Sequence, residues 1–313
     1  MQLAKAKLTL TFLIISIGTL LTNAQEADSL LNQLNPADSS EKVSATFKST
    51  RIVLSHSTET QKKYDLDLRI RHHFGDIGGE FGGSHTLFGL DGATDLFIGL
   101  DYGISDRFTV GIGRSRQEEM YDLLLKYKLL QQSESNQMPV TLTLLGQTAL
   151  MAREPNNNEF DDYGNRFSYL FQALLARKFS HALSLQVMPT YLVRSLALEP
   201  LDKENLFSLG FAGRLKLTKR LSFVADYQLV NAFGRPEAAT QNLYNPLGLG
   251  LEIETGGHIF SLNFMNSEYI LENNFIPNTK KSWTDGGVRF GFTVSRNFTL
   301  VKSKNPDTQT KIY

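Results

Sequence analysis

Residues 286–298 read GGVRFGFTVSRNF, and from Val288 the residues alternate in character. Every second residue from Val288 to Val294 is apolar, whereas the residues between them are polar or glycine. Such strict alternation is typical of a β-strand with one apolar face and one wet face. The stretch supplies the ~10 residues that a tilted strand needs to cross a bilayer, and it ends on the aromatic Phe298. We interpret it as the closing strand of an outer-membrane β-barrel.

Composition limits the alternatives. The chain has 313 residues, 32 Lys+Arg, 32 Asp+Glu and no cysteine. This charge balance argues against a nucleic-acid partner, which would favour a basic excess. The lack of cysteine excludes disulfides, thiolate metal sites and cysteine nucleophiles. The longest apolar run lies in the first two dozen residues, so a membrane location downstream requires a barrel, the other fold that satisfies its backbone in lipid.

The N-terminal residues predict secretion. Lys5 and Lys7 precede the apolar run Leu8 to Leu21, and the small residues Thr22-Asn23-Ala24 follow it. This order is typical of a cleaved signal peptide, which we place at residues 1–24. Removing its two lysines takes the net charge from 0 to −2. We expect a periplasmic arm at 25–63, an outer-membrane barrel at 64–298 and a periplasmic tail at 299–313.

Twelve segments show the alternation. They are 64–74, 94–103, 108–114, 121–130, 140–150, 166–178, 183–193, 206–217, 221–230, 247–254, 258–266 and 288–298. The predicted fold is therefore all-β, an antiparallel transmembrane barrel of about twelve strands. A short β-like run at 45–54 is left out, because a thirteenth strand would place the two barrel ends on opposite sides of the membrane.

The lengths of the links support this interpretation. Links at 104–107, 131–139, 179–182, 218–220 and 255–257 are mostly short, whereas those at 75–93, 151–165, 194–205, 231–246 and 267–287 are long and the link at 115–120 is intermediate. Outer-membrane barrels have short periplasmic turns and longer outer loops. If the first strand runs outward from Tyr64, every long link falls outside the cell. A soluble β-sandwich, the alternative, gives no reason for this sorting.

Four stretches resemble a family of uncharacterised barrels. They are 45–51 (ATFKSTR), 56–60 (HSTET), 88–91 (FGLD) and 101–107 (DYGISDR), and the strand around 111–114 (GIGR) continues the likeness. These residues are similar to those of a domain of unknown function found in outer-membrane β-barrel proteins of Gram-negative bacteria. The resemblance is best over 45–130 and implies a barrel in the outer membrane, with no reaction attached.

The inward face of the predicted barrel collects charge of both signs. The predicted lumen-lining residues are Asp65, Asp67, Arg69, Arg71, Asp101, Lys126, Lys128, Arg214, Lys216, Asp226, Glu252, Glu254 and Arg289. One interpretation is a water-filled pore that selects small polar or ionic solutes. The other is an interior plugged and held by charge pairs, since twelve strands make a barrel narrower than the 16–18 strands of open porins.

The predicted arm allows three interpretations. Its polar residues Lys48, Arg51, His56 and Glu59 either reach into the lumen as a plug or meet a periplasmic partner. We favour a third, simpler arrangement, in which the segment packs beneath the barrel mouth. The strand glycines of Gly248-Leu249-Gly250 are interpreted as making room for large neighbours.

The sequence gives little evidence for a catalytic site or for a cofactor-binding site. Ser84 and His85 are adjacent rather than opposed, and His72 and His73 point to opposite faces of one strand. We therefore expect no catalytic residues, no metal site and no cofactor. The expected partners are outer-membrane lipid and the barrel-assembly machinery, which would engage the closing strand. The leading hypothesis is a narrow porin-like channel; the alternatives are a non-conducting envelope barrel that binds a partner and, third, a surface lipid-modifying enzyme.

Overall fold

The structure is a computed structural model of the chain. It describes residues 41–155, 159–160, 162–198 and 201–301. The predicted signal peptide at 1–24, most of the linker after it and most of the predicted C-terminal tail lie outside these ranges.

Twelve antiparallel strands close into one barrel, as the alternation predicts. The strands are β1 (Asp65–Asp76), β2 (Ala93–Ser105), β3 (Phe108–Ser115), β4 (Met120–Leu130), β5 (Thr141–Met151), β6 (Phe167–Lys178), β7 (Leu183–Arg194), β8 (Asn205–Lys216), β9 (Leu221–Leu229), β10 (Leu247–Thr255), β11 (His258–Met265) and β12 (Arg289–Thr299). Each strand pairs with its neighbours in sequence, and β12 closes the barrel on β1 with Leu68 opposite Arg296. Residues 45–54 form no barrel strand.

The alternation of the sequence becomes an alternation of burial. On β4, Asp122 and Lys126 are buried inside the barrel, whereas Tyr121 and Leu123 are about half exposed on the outer surface. On β1, His73 is buried and His72 stacks outside on Phe74, with ring centroids 5.9 Å apart. The period of two residues places every strand in this register.

The two ends of the barrel differ. The short-turn end carries links 106–107, 131–140, 179–182, 217–220 and 256–257; the long-loop end carries 77–92, 116–119, 152–166, 195–204, 230–246 and 266–288. Two short helices, α1 (Glu237–Thr240) and α2 (Glu272–Asn278), lie in the long loops. Within the described ranges, helices are all too short or too polar to cross a membrane.

The interior of the barrel is filled from both ends. The arm, here residues 41–63, enters from the short-turn end, where Val43 and Lys63 hydrogen-bond to the turns after β4 and β2, and its residues 46, 47 and 49–58 are buried. The loop between β11 and β12 enters from the long-loop end, and residues 269–279 are buried. The expectation that the arm packs beneath the barrel mouth is therefore wrong: the arm lies within the lumen.

Candidate functional site

The arm turns back on itself inside the lumen as a tight hairpin. Arg51 and His56 form an antiparallel bridge, and the Ser57 N–H donates to the Thr50 carbonyl at 3.0 Å. The tip, Val53 and Leu54, has at most 1% of its surface exposed. Because both sides of this hairpin lie in the lumen, the chain passes through the same space twice.

Asp226 on β9 holds the tip of the hairpin. Its Oδ2 atom accepts hydrogen bonds from three successive backbone N–H groups, those of Val53 (3.2 Å), Leu54 (2.8 Å) and Ser55 (2.8 Å). Successive N–H groups that converge on one anion form a concave backbone site for negative charge. This carboxylate is fully enclosed, so the arm supplies the donors that water would otherwise provide.

Other side chains on the inner face of the barrel strands, which we call the wall, donate hydrogen bonds to carbonyl oxygens of the arm. These bonds run from Arg71 Nη2 to Val53 O (2.7 Å), from Lys126 Nζ to Thr50 O (3.2 Å) and Glu59 O (2.5 Å), from Thr143 Oγ1 to Thr58 O (2.8 Å), and from Gln186 Nε2 to His56 O (2.7 Å). The donors come from β1, β4, β5 and β7, on different sides of the barrel. The arm is thus bound by the wall all around rather than along one edge.

Glycines in the wall make room for the arm, as predicted for the pair in β10. A Cβ atom on Gly248 would lie 2.6 Å from Val53 Cγ1, and one on Gly250 would lie 3.1 Å from Val53 Cγ2. A Cβ on Gly103 would overlap the carbonyl oxygen of Lys62. Since a side chain at Gly248 or Gly103 would collide with the arm and one at Gly250 would crowd it, the wall and the arm are matched in shape.

One part of the inner wall is apolar, which differs from the prediction of a lumen lined by opposed charges. The arm residues Phe47, Ile52, Val53 and Leu54 belong to one buried cluster with inward side chains of β4 to β9. The principal wall members are Leu124, Leu145, Leu170, Leu174, Met188 and Val224. The arm therefore buries apolar surface on one side of the lumen and meets charged groups on the other.

The β11–β12 loop closes the other end. The Ile270 N–H donates to Asp95 at 3.0 Å, and the Asn273 side chain donates to Ser168 Oγ at 2.8 Å. Asp95 and Ser168 lie near the long-loop ends of β2 and β6. All residues of α2 are buried, so this loop is an inserted plug rather than a surface loop.

The arm and the loop meet in the middle of the lumen. Glu272 of α2 lies 3.5 Å from Arg51 Nη1 and 3.5 Å from His56 Nε2, and all three side chains are at most 3% exposed. Burial and then the cations Arg51 and Lys126 lower the pKa of His56. Burial raises the pKa of the Glu272 carboxyl, which Arg51 opposes.

The predicted lumen residues lie on the inner wall, in two groups. Those that are buried are Asp67, Arg69, Arg71, Asp101, Lys126, Lys128, Arg214, Asp226, Glu252 and Arg289. Asp65, Lys216 and Glu254 are half-buried at the short-turn end. Several pair with the wall itself: Asp67 with Arg69, Arg214 with Glu252 at 3.6 Å, and Arg289 with Asp76 at 2.7 Å.

The predicted arm residues lie against these groups. Glu59 pairs with Lys128 at 3.5 Å, and Lys48 pairs with Glu254 at 3.0 Å. Arg51 and His56 instead contact the long loop, as described above. The sequence reasoning missed Thr143, Gln186 and Glu272. Neutral polar residues and a glutamate in a long loop carry no signal of their own, although the strand glycine Gly248 points to a close neighbour.

The described ranges hold no group of His, Asp and Glu side chains arranged to bind a metal ion. Ser84 and His85 lie in a short 3-10 turn of the loop between β1 and β2, and both are exposed.

A family model described as "Membrane bound beta barrel domain (DUF5777)" matches residues 47–298. No curated protein matches the chain. Among solved structures, the KdgM porin has a TM-score of 0.46 at 7% identity, covering 75% of this chain and 99% of that one. The NanC porin has a TM-score of 0.43 at 8% identity, covering 75% and 100%. An outer membrane channel from Pseudomonas putida F1 has a TM-score of 0.46 at 12% identity, covering 77% of this chain and 98% of that one. These scores are too low to transfer a function.

Proposed function

This chain belongs to the membrane bound beta barrel domain family, and on that premise we propose that it is a narrow outer-membrane channel of a Gram-negative bacterium, held closed by its own arm. The short-turn end faces the periplasm in this proposal, because barrels of this kind have short periplasmic turns and long outer loops. Outer-membrane lipid surrounds the barrel, and the assembly machinery engages β12. The solutes are small polar molecules or ions.

The observation that carries the proposal is the polar attachment of the arm to the wall. Arg69, Arg71, Lys126 and Asp226 are wall charges that hydrogen-bond to the arm. If the arm leaves, the same charges face the lumen, where water can solvate them. A passage lined by charges of both signs admits small hydrophilic solutes and excludes apolar ones.

The barrel does not need the arm for its own hydrogen bonds. Each of the twelve strands is paired on both sides, so the backbone in the lipid zone stays satisfied whether or not the arm is present. Each hydrogen bond between neutral groups of the arm and the wall contributes about 0.5–1.5 kcal/mol net, and each bond to a charged wall group about 1.5–3 kcal/mol, because water replaces the bonds on release. Arm release is therefore compatible with an intact barrel.

A permanently closed barrel that serves as a scaffold or binds an envelope partner is the second candidate. The observation that favours it is the apolar cluster between the arm and β4–β9. Burial of a side chain such as Leu54, which is 1% exposed, favours the docked arm by about 1.5–3 kcal/mol. In this alternative the arm is a structural part of the barrel interior.

Single-channel recording distinguishes the two candidates. The test variant is the full chain with Leu54→Pro and Ser55→Pro, which removes two N–H donors to Asp226 and leaves every strand unchanged. The matched control is Ser55→Ala, which keeps its N–H. Heat-modifiable migration on gels checks that each refolded barrel is intact.

We expect the parent protein and Ser55→Ala to be closed with brief openings. The double proline variant should conduct steadily, because release of the arm also removes Arg51 and His56 from Glu272 and so frees the β11–β12 loop. A parent protein that conducts steadily would contradict closure by the arm. Silence of the double proline variant in a correctly folded barrel would contradict the channel and favour the scaffold.

A further inference from the structure

The hydrogen bonds between the inner wall and the arm go mainly to the arm's backbone, beside the apolar contacts of Phe47, Ile52, Val53 and Leu54. Asp226 accepts three N–H groups of the arm, and Thr109 Oγ1 accepts a fourth, from Gln61, at 2.8 Å. Arg71, Lys126, Thr143 and Gln186 donate to five carbonyl oxygens. These donors and acceptors recognise groups that every non-proline residue carries.

Contacts to particular arm side chains are fewer in the deep part of the lumen. Arg69 Nη2 donates to Thr50 Oγ1 at 2.8 Å, and Gln228 Nε2 donates to Ser55 Oγ at 3.1 Å. The salt bridges of Lys48 and Glu59 lie towards the short-turn end, with their wall partners Glu254 and Lys128. Recognition through the main chain tolerates different sequences, and side-chain contacts then adjust the preference.

The space that the arm occupies also fits a polypeptide. The hairpin of residues 50–57 sends two backbone segments through the lumen side by side. A single extended segment therefore needs less width than the barrel already provides. The β11–β12 loop, which contains α2, fills the lumen at the long-loop end. This loop must move before a polypeptide can pass through the barrel.

We propose that, besides small polar solutes, the open channel admits an unfolded polypeptide segment, for which the arm is a built-in substitute. The proposal rests on the proposed function, because the arm must leave before another segment enters. Asp226 then accepts the N–H groups of the incoming chain, while Arg71, Lys126, Thr143 and Gln186 bind its carbonyl oxygens. Release and re-entry of the arm compete with this binding, so the arm is also an inhibitor of its own channel.

The test uses the full-length double proline variant, whose wall is unchanged. The probe is a synthetic peptide as long as residues 45–61 and of unrelated sequence, with different apolar residues at the positions of Phe47, Ile52, Val53 and Leu54. One comparison probe is the same peptide with N-methylated backbone amides, which lacks the N–H donors. The other is a malto-oligosaccharide of similar mass. Two measurements are made: interruption of the single-channel current, and fluorescence anisotropy of the labelled peptide with the refolded protein.

We expect the unrelated peptide to bind and to interrupt the current, and the oligosaccharide to do so at least tenfold less well. N-methylation of the peptide, or Asp226→Asn in the wall, weakens binding about tenfold by anisotropy. Peptide binding in a barrel that passes no current would refute the channel while supporting the peptide site.

Two results would overturn the proposal. One is binding restricted to a peptide with the arm's own sequence, which would mean that the wall is specific for the arm and binds no other polypeptide. The other is equal interruption by the oligosaccharide, or binding that N-methylation does not change, since neither depends on backbone recognition.

Discussion

Replacing Asp226 with asparagine should release the arm more often while preserving the shape of the wall. The carboxylate accepts three N–H groups on one oxygen. Hydrogen bonds to a charged group contribute about 1.5–3 kcal/mol and those between neutral groups about 0.5–1.5 kcal/mol. Asp226→Asn therefore weakens each hydrogen bond by ~1 kcal/mol. We expect the docked arm to lose ~2 kcal/mol in total rather than the full sum, because three bonds on one atom are not additive and the neutral amide is easier to bury. Since 1.4 kcal/mol is a factor of ten, the open fraction rises about 30-fold.

The assay is labelling of a single cysteine in a chain that has none of its own. Thr58 is 0% exposed inside the lumen, so Thr58→Cys reacts with a water-soluble thiol reagent only when the arm leaves. Asp122→Asn is the matched control: this buried wall carboxylate accepts a hydrogen bond from Gln147 on the next strand. We expect about 30-fold faster labelling with Asp226→Asn and little change with Asp122→Asn. Equal rates in both variants, or no change in either, would refute the assignment of Asp226 as the arm's anchor.

Three further predictions follow from the same geometry. Val294→Arg, on the outward face of β12, should lower the free energy of unfolding of the barrel by about 2–4 kcal/mol, whereas the inward Thr293→Asn should lower it far less. Urea titration in lipid vesicles measures both losses, and equal losses would contradict the lipid-facing assignment. Gly248→Leu should displace the arm and speed labelling of the Thr58→Cys reporter, whereas Gly146→Leu should not, because a Cβ on Gly146 meets nothing within 4 Å. An epitope in the β9–β10 loop should bind antibody on intact cells and one in the β8–β9 turn should not; the opposite result would mean that the barrel is inverted.

The barrel itself could be predicted from the sequence because membrane strands follow a strict local rule. Alternation in residues 288–298 and 121–130 depends only on neighbouring positions, and lipid on one side enforces it. Twelve segments alternate and the parity of the links excludes a thirteenth strand, and the structure confirms twelve. Strand ends agree within two residues, since turns with glycine and polar residues mark them locally.

The filling of the lumen could not be predicted in the same way. An inward leucine such as Leu124 or Leu170 looks like a break in the polar face until Val53 and Leu54 are placed beside it. Contacts between residues 53 and 226, or 51 and 272, depend on how two distant segments fold back into the barrel. Local composition carries no information about such pairs, except at Gly248, where a missing side chain indicates a close neighbour.

The most direct test of closure by the arm is the current through a barrel whose arm is reversibly fixed to the wall. The test protein carries Val53→Cys and Gly248→Cys in the Asp226→Asn background, which places two thiols side by side. A Cβ on Gly248 would lie 2.8 Å from Val53 Cβ, so a small shift reaches the Cβ–Cβ distance of about 3.5–4.5 Å that a disulfide needs. We predict that the oxidised protein is silent in a planar bilayer and that openings appear when reductant is added. Steady conductance of the fully cross-linked protein would contradict closure by the arm.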